Sequence, residues 1–372
     1  MRLVFLSNYY NHHQHSLCQA LYQGAESFHF VETAPMDQER RQLGWGIETL
    51  PPYVTADASV LDRADIVLAG SAPETLIRRA ILSGKPVLRY SERPLKNGPK
   101  PMKYLPRLVR WRRRNPSGRP VYLLCASAYA AADYARFGLF RNRSYRWGYF
   151  PECRVYDDFQ WLQEHKNPRS LLWAGRFLDW KHPGDAVAVV HRLAVEGVDV
   201  RLQLTGAGPL EEDLRRQIGE DSRITLTGPM RPKQVRHCME QAGVFLFTSD
   251  RREGWGAVVN EAMNSGCAVV ASWAAGSVPY LLRDGINGLV YPSGDREALY
   301  RRLRMLLDDE DMQHRMGRQA YRTVTGVWSA GEAARRLLLL TEHILAGEDA
   351  PVLFEDGPCS PAPLLRDTGE EL

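Results

Sequence analysis

Between residues 170 and 291 the chain alternates short apolar runs with stretches of helical character, without interruption. The runs are LLWAG (171–175), VRLQLTG (200–206), ITLTG (224–228), VFLFTS (244–249), AVVAS (268–272) and GLVY (288–291). Among the stretches between them, PLEEDLRRQI (209–218) opens on Pro209, a residue suited to a first helical position. Strict alternation of strand and helix predicts a parallel sheet wrapped by helices, the Rossmann-like arrangement.

The first 150 residues repeat the theme less regularly. RLVFLS (2–7), ADIVLAG (64–70), KPVLRY (85–90) and PVYLLCAS (120–127) read as buried strands, and APETLIRRAILSG (72–84) as a helix closed by Gly84. A length of 372 residues suits two such domains. The boundaries expected are a first domain over 1–150, a linker over 151–169 and a second domain over 170–325. A terminal helix over 326–346 is expected to pack back on the first domain, and the Pro-rich, acidic tail 347–372 to be disordered. Six scattered cysteines show no C-x-x-C and no metal-like spacing, and no run approaches the roughly 20 apolar residues that span a bilayer. A cytoplasmic protein with reduced thiols is the simplest expectation.

Ligands of open α/β sheets bind where strands end and helices begin. In the second half those loops hold Arg176 and Lys181 after the first run, Gly206 and Gly208 after the second, and Gly228, Met230 and Arg231 after the third. The fourth run is followed by DRREGWGAVVNEA, with Glu253 just outside a helix start and Glu261 about two turns inside it. Gly254 and Gly256 flank Trp255 there and leave amides open at a helix N-terminus, which favours an anion. Two cations and such amides converging on one crevice suit a diphosphate. Glu261 would then accept hydrogen bonds from a ribose diol, and Glu253 would sit nearer the sugar. A lone E-x7-E arises by chance; joined to the two cations on neighbouring loops of one sheet edge, it outweighs that reading. A dehydrogenase is disfavoured, because Glu211 occupies the third glycine position of the fingerprint after LQLTG.

These motifs resemble the nucleotide-sugar half of a family 4 (group 1) retaining glycosyltransferase. AGRFLDWK (174–181) is similar to that family's phosphate motif, EGWGAVVNEA (253–262) to its E-x7-E signature, and DGINGLVYPSGD (284–295) to the Asn-Gly turn that follows. Trp255 stands where Phe is more usual, and Tyr280 where the family often has Glu. The resemblance implies the GT-B fold, an α/β architecture of two Rossmann-like domains facing each other across a deep cleft, the first binding the acceptor. It implies that Arg176 and Lys181 hold the donor diphosphate, that Glu261 binds the ribose, and that Glu253 contacts sugar hydroxyls near the reacting carbon. Gly228, Met230 and Arg231 would lie beside the nucleobase. Transfer would need no metal and no cofactor, since no Asp-x-Asp pair is positioned for the phosphates. The donor expected is a UDP-sugar, with a GDP-sugar next, and the acceptor a glycan or lipid-linked saccharide for a cell-surface polysaccharide or glycolipid. Alternatives are a sugar-nucleotide 2-epimerase of the same fold and a non-catalytic sugar-nucleotide binder.

In the first half, SNYYNHHQHSLCQAL (7–21) carries His12, His13, Gln14 and His15 where such enzymes often carry paired glycines. His13 or His12 is a candidate for hydrogen bonding to phosphate or acceptor; a polar helix cap with one buried histidine is the competing view. Zinc is disfavoured for want of a Cys or acidic partner at ligand spacing. Glu92 and Arg93 could face the acceptor, or could form a simple ion pair. From Arg93 to Arg119 there are ten Lys/Arg and no Asp/Glu, interleaved with Met102, Tyr104, Leu105, Leu108, Val109 and Trp111. Such a stretch suits an anionic membrane surface, implying a peripheral position at the inner face of the membrane. A solvated loop or a groove for acidic polysaccharide are rivals, and nucleic acid is a weaker option without a recognised module.

Overall fold

The computed structural model describes residues 1–42, 44–98 and 104–366. Two compact units emerge, one formed by residues 1–152 with 327–366, the other by 153–326.

The first unit is built on a seven-stranded parallel sheet. Its strands are β1 (Arg2–Ser7), β2 (Ser27–Glu32), β3 (Val54–Thr55), β4 (Ile66–Ala69), β5 (Val87–Ser91), β6 (Val121–Cys125) and β7 (Ser144–Arg146), in the order β3-β2-β1-β4-β5-β6-β7. Helices α1 (His12–Gly24), α2 (Gln38–Gln42), α3 (Glu74–Leu82), α4 (Tyr104–Arg114) and α5 (Ala130–Ala135) lie between them. β1, β4 and β6 are apolar almost throughout because strands covered on both faces meet no water on either. Val4, Leu6, Val67, Ile77, Val87, Leu123 and Phe137 meet in one buried cluster. Burying each such side chain contributes about 1.5–3 kcal/mol.

The second unit opens with α6 (Phe159–Glu164), inside the stretch expected to be a linker. Asp158 caps it, accepting from the Trp161 amide at 2.8 Å. Strands β8 (Asn167–Ala174), β9 (Arg201–Thr205), β10 (Ile224–Gly228), β11 (Ala242–Phe247), β12 (Ala268–Ser272) and β13 (Leu289–Tyr291) form a six-stranded parallel sheet ordered β10-β9-β8-β11-β12-β13. The helices are α7 (Pro183–Val195), α8 (Glu211–Ile218), α9 (Pro232–Gln241), α10 (Val258–Asn264), α11 (Val278–Leu281), α12 (Arg296–Asp308) and α13 (Glu310–Thr325). The chain runs outward from β8 in one direction and from β11 in the other. The carboxyl ends of these two neighbours therefore splay the following loops apart and leave a crevice at the switch point.

The chain then returns to the first unit through α14 (Ala330–Leu345), capped by the Ser329 hydroxyl, which accepts from the Glu332 amide. α14 lies against α1 so closely that a Cβ on Gly24 would meet Leu338 Cδ1 at 2.6 Å. The tail expected to be disordered is ordered over its described part, to residue 366. Residues 359–362 pair antiparallel with β7, through Arg146 N–H to Ser360 O at 2.7 Å, Cys359 N–H to Arg146 O at 2.8 Å and Ala362 N–H to Ser144 O at 2.9 Å. Asp349 pairs with Arg143 and Asp356 with Arg146, while the Arg336 guanidinium lies 4.5 Å from the Phe354 ring centre. Two of the acidic residues that suggested disorder, Asp349 and Asp356, are thus engaged by arginines at the sheet edge. Cys18, Cys125, Cys267 and Cys359 are buried thiols, and no described helix is long and apolar enough to cross a membrane.

Candidate active site

At the switch point of the second unit, the loop after β8 and the loop after β11 are stitched together. The Trp173 indole donates to Thr248 Oγ1 at 2.9 Å, and that hydroxyl donates to Lys181 O at 2.5 Å. Asp250 N–H reaches Trp180 O at 2.8 Å. Lys181 Nζ is thereby delivered onto Glu253 Oε2, which also accepts from Ser249 Oγ at 3.2 Å. Both partners of this ion pair are largely shielded from solvent. Arg176 lies in the same loop as Lys181, exposed and with no ion-pair partner among the described residues.

A second layer supports this pair, and the sequence reading missed it. Asp250 takes paired hydrogen bonds from Arg252, the shortest at 2.7 Å, and lies 3.3 Å from His182 Nε2. Arg252 extends the bridge to Asp179 at 2.7 Å. Burial alone would push the Asp250 carboxyl up, but hydrogen bonds from His182 and Arg252 win and hold it well below the carboxylate range. The same hydrogen bond raises His182 against its burial. His182 adopts left-handed backbone, φ 45°, to turn the chain from Lys181 into α7. The signal available in sequence was the alternation of opposite charges in Asp250, Arg252 and Glu253 within one turn at a strand end.

The glycines of the loop after β9 have a local explanation. A Cβ on Gly206 would lie 1.8 Å from Gly175 O, and one on Gly208 2.6 Å from Phe177 O, with φ of 146° and 159°. The backbone occupying that space is the neighbouring loop that carries Arg176, whose Phe177 N–H donates to Ala207 O at 2.9 Å. These glycines therefore set the position of the arginine loop. Gly228 (φ 74°) ends β10, and the half-buried Met230 and the exposed Arg231 lead from it into α9.

Two expectations around the E-x7-E stretch are corrected. The Trp255 ring is fully buried and donates to Asn260 Oδ1 at 2.9 Å, so it is a packing residue whose backbone alone faces the turn. Its neighbour is the Tyr280 ring, 6.3 Å away, so the two departures from the family pattern pack together. Glu261 stands in the first turn of α10, because Gly254 and Gly256 belong to the turn and the helix begins only at Val258. A Cβ on Gly256 (φ 88°) would strike the Phe247 ring at 2.4 Å. Burial raises the Glu261 carboxyl, with Arg236 pulling it the other way.

In the first unit, Asn11 caps α1 by accepting from His13 N–H at 3.0 Å, which places His12, His13 and Gln14 at the carboxyl end of β1. The His12 amide donates to Trp45 O at 3.1 Å, and its ring Nδ1 lies 3.2 Å from the same oxygen. His13 Nδ1 and Gln14 Oε1 are buried without a hydrogen-bond partner among the described residues. Burial, reinforced by His12, brings His13 down to about 3, so its imidazole is neutral at physiological pH. Burial likewise lowers His12, against its bond to Trp45. Tyr149 stacks on His13 at 6.5 Å and donates to Glu92 Oε1 at 2.7 Å, joining the histidines to Glu92. Arg93 is corrected. Its guanidinium is buried against Asp133 at 3.3 Å and over the Tyr129 ring at 4.8 Å, so it serves the core as an ion pair. Of the basic stretch, Lys100, Met102 and Lys103 lie outside the described residues.

Residues 157–323 match the family described as "Glycosyl transferases group 1". The D-inositol 3-phosphate glycosyltransferase of Corynebacterium kroppenstedtii is 31% identical over 160 residues, 43% of this chain and 34% of that protein. The putative colanic acid biosynthesis glycosyltransferase WcaL of Salmonella typhimurium is 29% identical over 144 residues, 37% of this chain and 35% of that protein. The chain thus spans about a third of the length of these curated relatives. Among solved structures, Anabaena Alr3699/HepE in complex with UDP superposes with a TM-score of 0.67 at 14% identity, covering 92% of this chain and 100% of that one. A Rickettsia africae glycosyltransferase gives 0.65 at 12% identity, covering 93% and 99%. The fold is GT-B, and residues 157–323 are similar to the group 1 glycosyl transferases.

Proposed function

We propose that this chain is a group 1 glycosyltransferase that moves a hexose from a UDP-sugar to a saccharide or lipid-linked acceptor, with retention of configuration and without a metal. The observation that carries the reading is the Lys181–Glu253 pair at the switch point, with Arg176, unpaired among the described residues, in the same loop. Without donor, the two charges satisfy each other. A diphosphate offers Lys181 a stronger partner, which frees Glu253 to accept from sugar hydroxyls. As the glycosidic bond breaks, negative charge grows on the leaving phosphate, and fixed cations stabilise that state more than the ground state. Cations of the chain here do the work a metal does elsewhere. Glu261 is assigned to the ribose, and its raised carboxyl gains ionised character once hydroxyls donate to it. Arg231 and Met230 are assigned to the nucleobase side. His13, neutral, is assigned to hydrogen bonding with phosphate or acceptor, and Glu92 to the acceptor side.

Solved structures of Anabaena Alr3699/HepE with UDP and with UDP-glucose support UDP as the first donor to test. Relatives named for colanic acid and amylovoran biosynthesis make a saccharide acceptor the first to test. The exposed basic residues of α4, and not the buried Arg93, are assigned to an anionic membrane surface. The experiment is turnover of a panel of UDP- and GDP-sugars, with Glu253→Ala alongside. The reading expects hydrolysis or transfer from one UDP-sugar, lowered at least about 100-fold in the variant while UDP still binds. Equal turnover by both proteins would refute it.

A further inference from the structure

Helix α4 presents two different faces. Leu108 and Trp111 pack on the core, the Trp111 ring meeting Phe137 edge-on at 4.4 Å and Tyr134 at 5.3 Å. Leu105 and Val109, one turn apart, point away from it and are 66% and 42% exposed. Beside them runs a groove of about 630 Å³ between α4 and α3, whose lining includes Leu105, Pro106, Val109, Arg78, Arg110 and Arg113. Its one acidic lining residue, Glu74, is already engaged by Arg89 at 2.6 Å and by Arg114 at 3.6 Å. Arg78, Arg110 and Arg113 have no ion-pair partner among the described residues. The contrast within α3 is direct, since Arg79 beside Arg78 is paired with Asp62 at 2.5 Å.

We propose that the groove between α3 and α4 seats the phosphate headgroup of an anionic phospholipid, with Leu105, Pro106 and Val109 against the acyl edge of the leaflet. This deepens the membrane-facing part of the function proposed above and rests on it. Single exposed aliphatic side chains are ordinary on a protein surface, but two of them one turn apart beside three guanidinia make a mixed apolar and cationic patch. A groove for an acidic polysaccharide would use the guanidinia but leave the apolar floor idle. A phospholipid uses both, with planar guanidinia matching phosphate oxygens and aliphatic groups meeting the hydrocarbon boundary. The concavity limits the effect to a few residues. It also adds Arg78, from a helix outside the basic stretch, to the binding surface.

The test is sedimentation of the whole protein with phosphatidylcholine vesicles, with and without about a third phosphatidylglycerol. Binding is expected only with the anionic lipid. Arg78→Glu and Leu105→Ser should each weaken it about fivefold or more. Arg216→Glu, the same charge change on α8, should leave it within about twofold. Equal weakening by Arg78→Glu and Arg216→Glu would mean diffuse attraction and would overturn the groove while leaving the membrane reading intact. Weakening by Arg78→Glu but not by Leu105→Ser would mean binding by charge alone and would overturn the seating of Leu105, Pro106 and Val109 against the leaflet. Absence of any phosphatidylglycerol dependence would remove both. UDP-induced thermal stabilisation, measured on the same variants, should be unchanged throughout, which separates failure here from failure of the donor assignment.

Discussion

Replacing Asp250 by Asn keeps the shape of the second layer and removes its charge. In the wild type this carboxylate holds Arg252 through paired hydrogen bonds and lies 3.3 Å from His182. Asp250 is mostly shielded, but its two partners are each about one-third exposed, so the gain must be discounted for solvent screening. A charge-assisted hydrogen bond contributes about 1.5–3 kcal/mol net. Allowing for the exposure and for the acceptor that Asn retains, about 2 kcal/mol should be lost at neutral pH. In a unit of this size that corresponds to a melting temperature lower by about 4–8 °C. The pH dependence follows from the direction of each shift. His182 is raised, so its share is full below its unfolded value near 6.5 and is lost as pH rises through the higher folded value. Asp250 is depressed, so its share is full above its unfolded value of 3.8 and is lost as pH falls through the lower folded value. Calorimetry of both proteins between pH 5 and 9 (about the range that His182 spans) should show the gap narrowing, without closing, at the alkaline end. The Arg252 share persists there. A gap below about 0.5 kcal/mol, or one independent of pH, would refute the argument.

Gly206→Ala should destabilise the second unit by about 3 kcal/mol or more in urea unfolding, because its Cβ would overlap the Gly175 carbonyl. Gly219→Ala, where nothing lies within 4 Å, should cost only the positive-φ backbone strain of about 1–3 kcal/mol. Removing residues 348–372 should strip the hydrogen-exchange protection of the Arg146 amide and lower stability by about 3 kcal/mol, one for each lost backbone bond to β7. Unchanged protection would show that the tail is dispensable to the sheet edge.

Strands sealed on both faces were legible as apolar runs, and β1, β10 and β12 match their expected residues to the end. β2 escaped because SFHFVE mixes His29 and Glu32 into its pattern, although it pairs with β1 along six residues. What sequence could not supply was the partner of each charge. Arg93 reads as a candidate for the acceptor until Asp133, forty residues on, is folded against it. The tail reads as disordered until Arg143 and Arg146 meet its acids. Spacing placed Glu253 and Glu261 on one loop and helix, but the depth of Glu261 depended on where the backbone turns at Gly256. Gly206 and Gly208 looked like room for a ligand, and the room is filled by the arginine loop itself.

The account depends on Arg176 and Lys181 gripping the diphosphate of the donor. Calorimetric titration of UDP into the wild type, Arg176→Ala, Lys181→Ala and the distant control Arg216→Ala tests it most directly. Loss of one charged hydrogen bond to phosphate should weaken UDP about 10- to 100-fold in each of the two loop variants and leave the control unchanged. Affinities within about twofold of wild type in both loop variants would contradict the account.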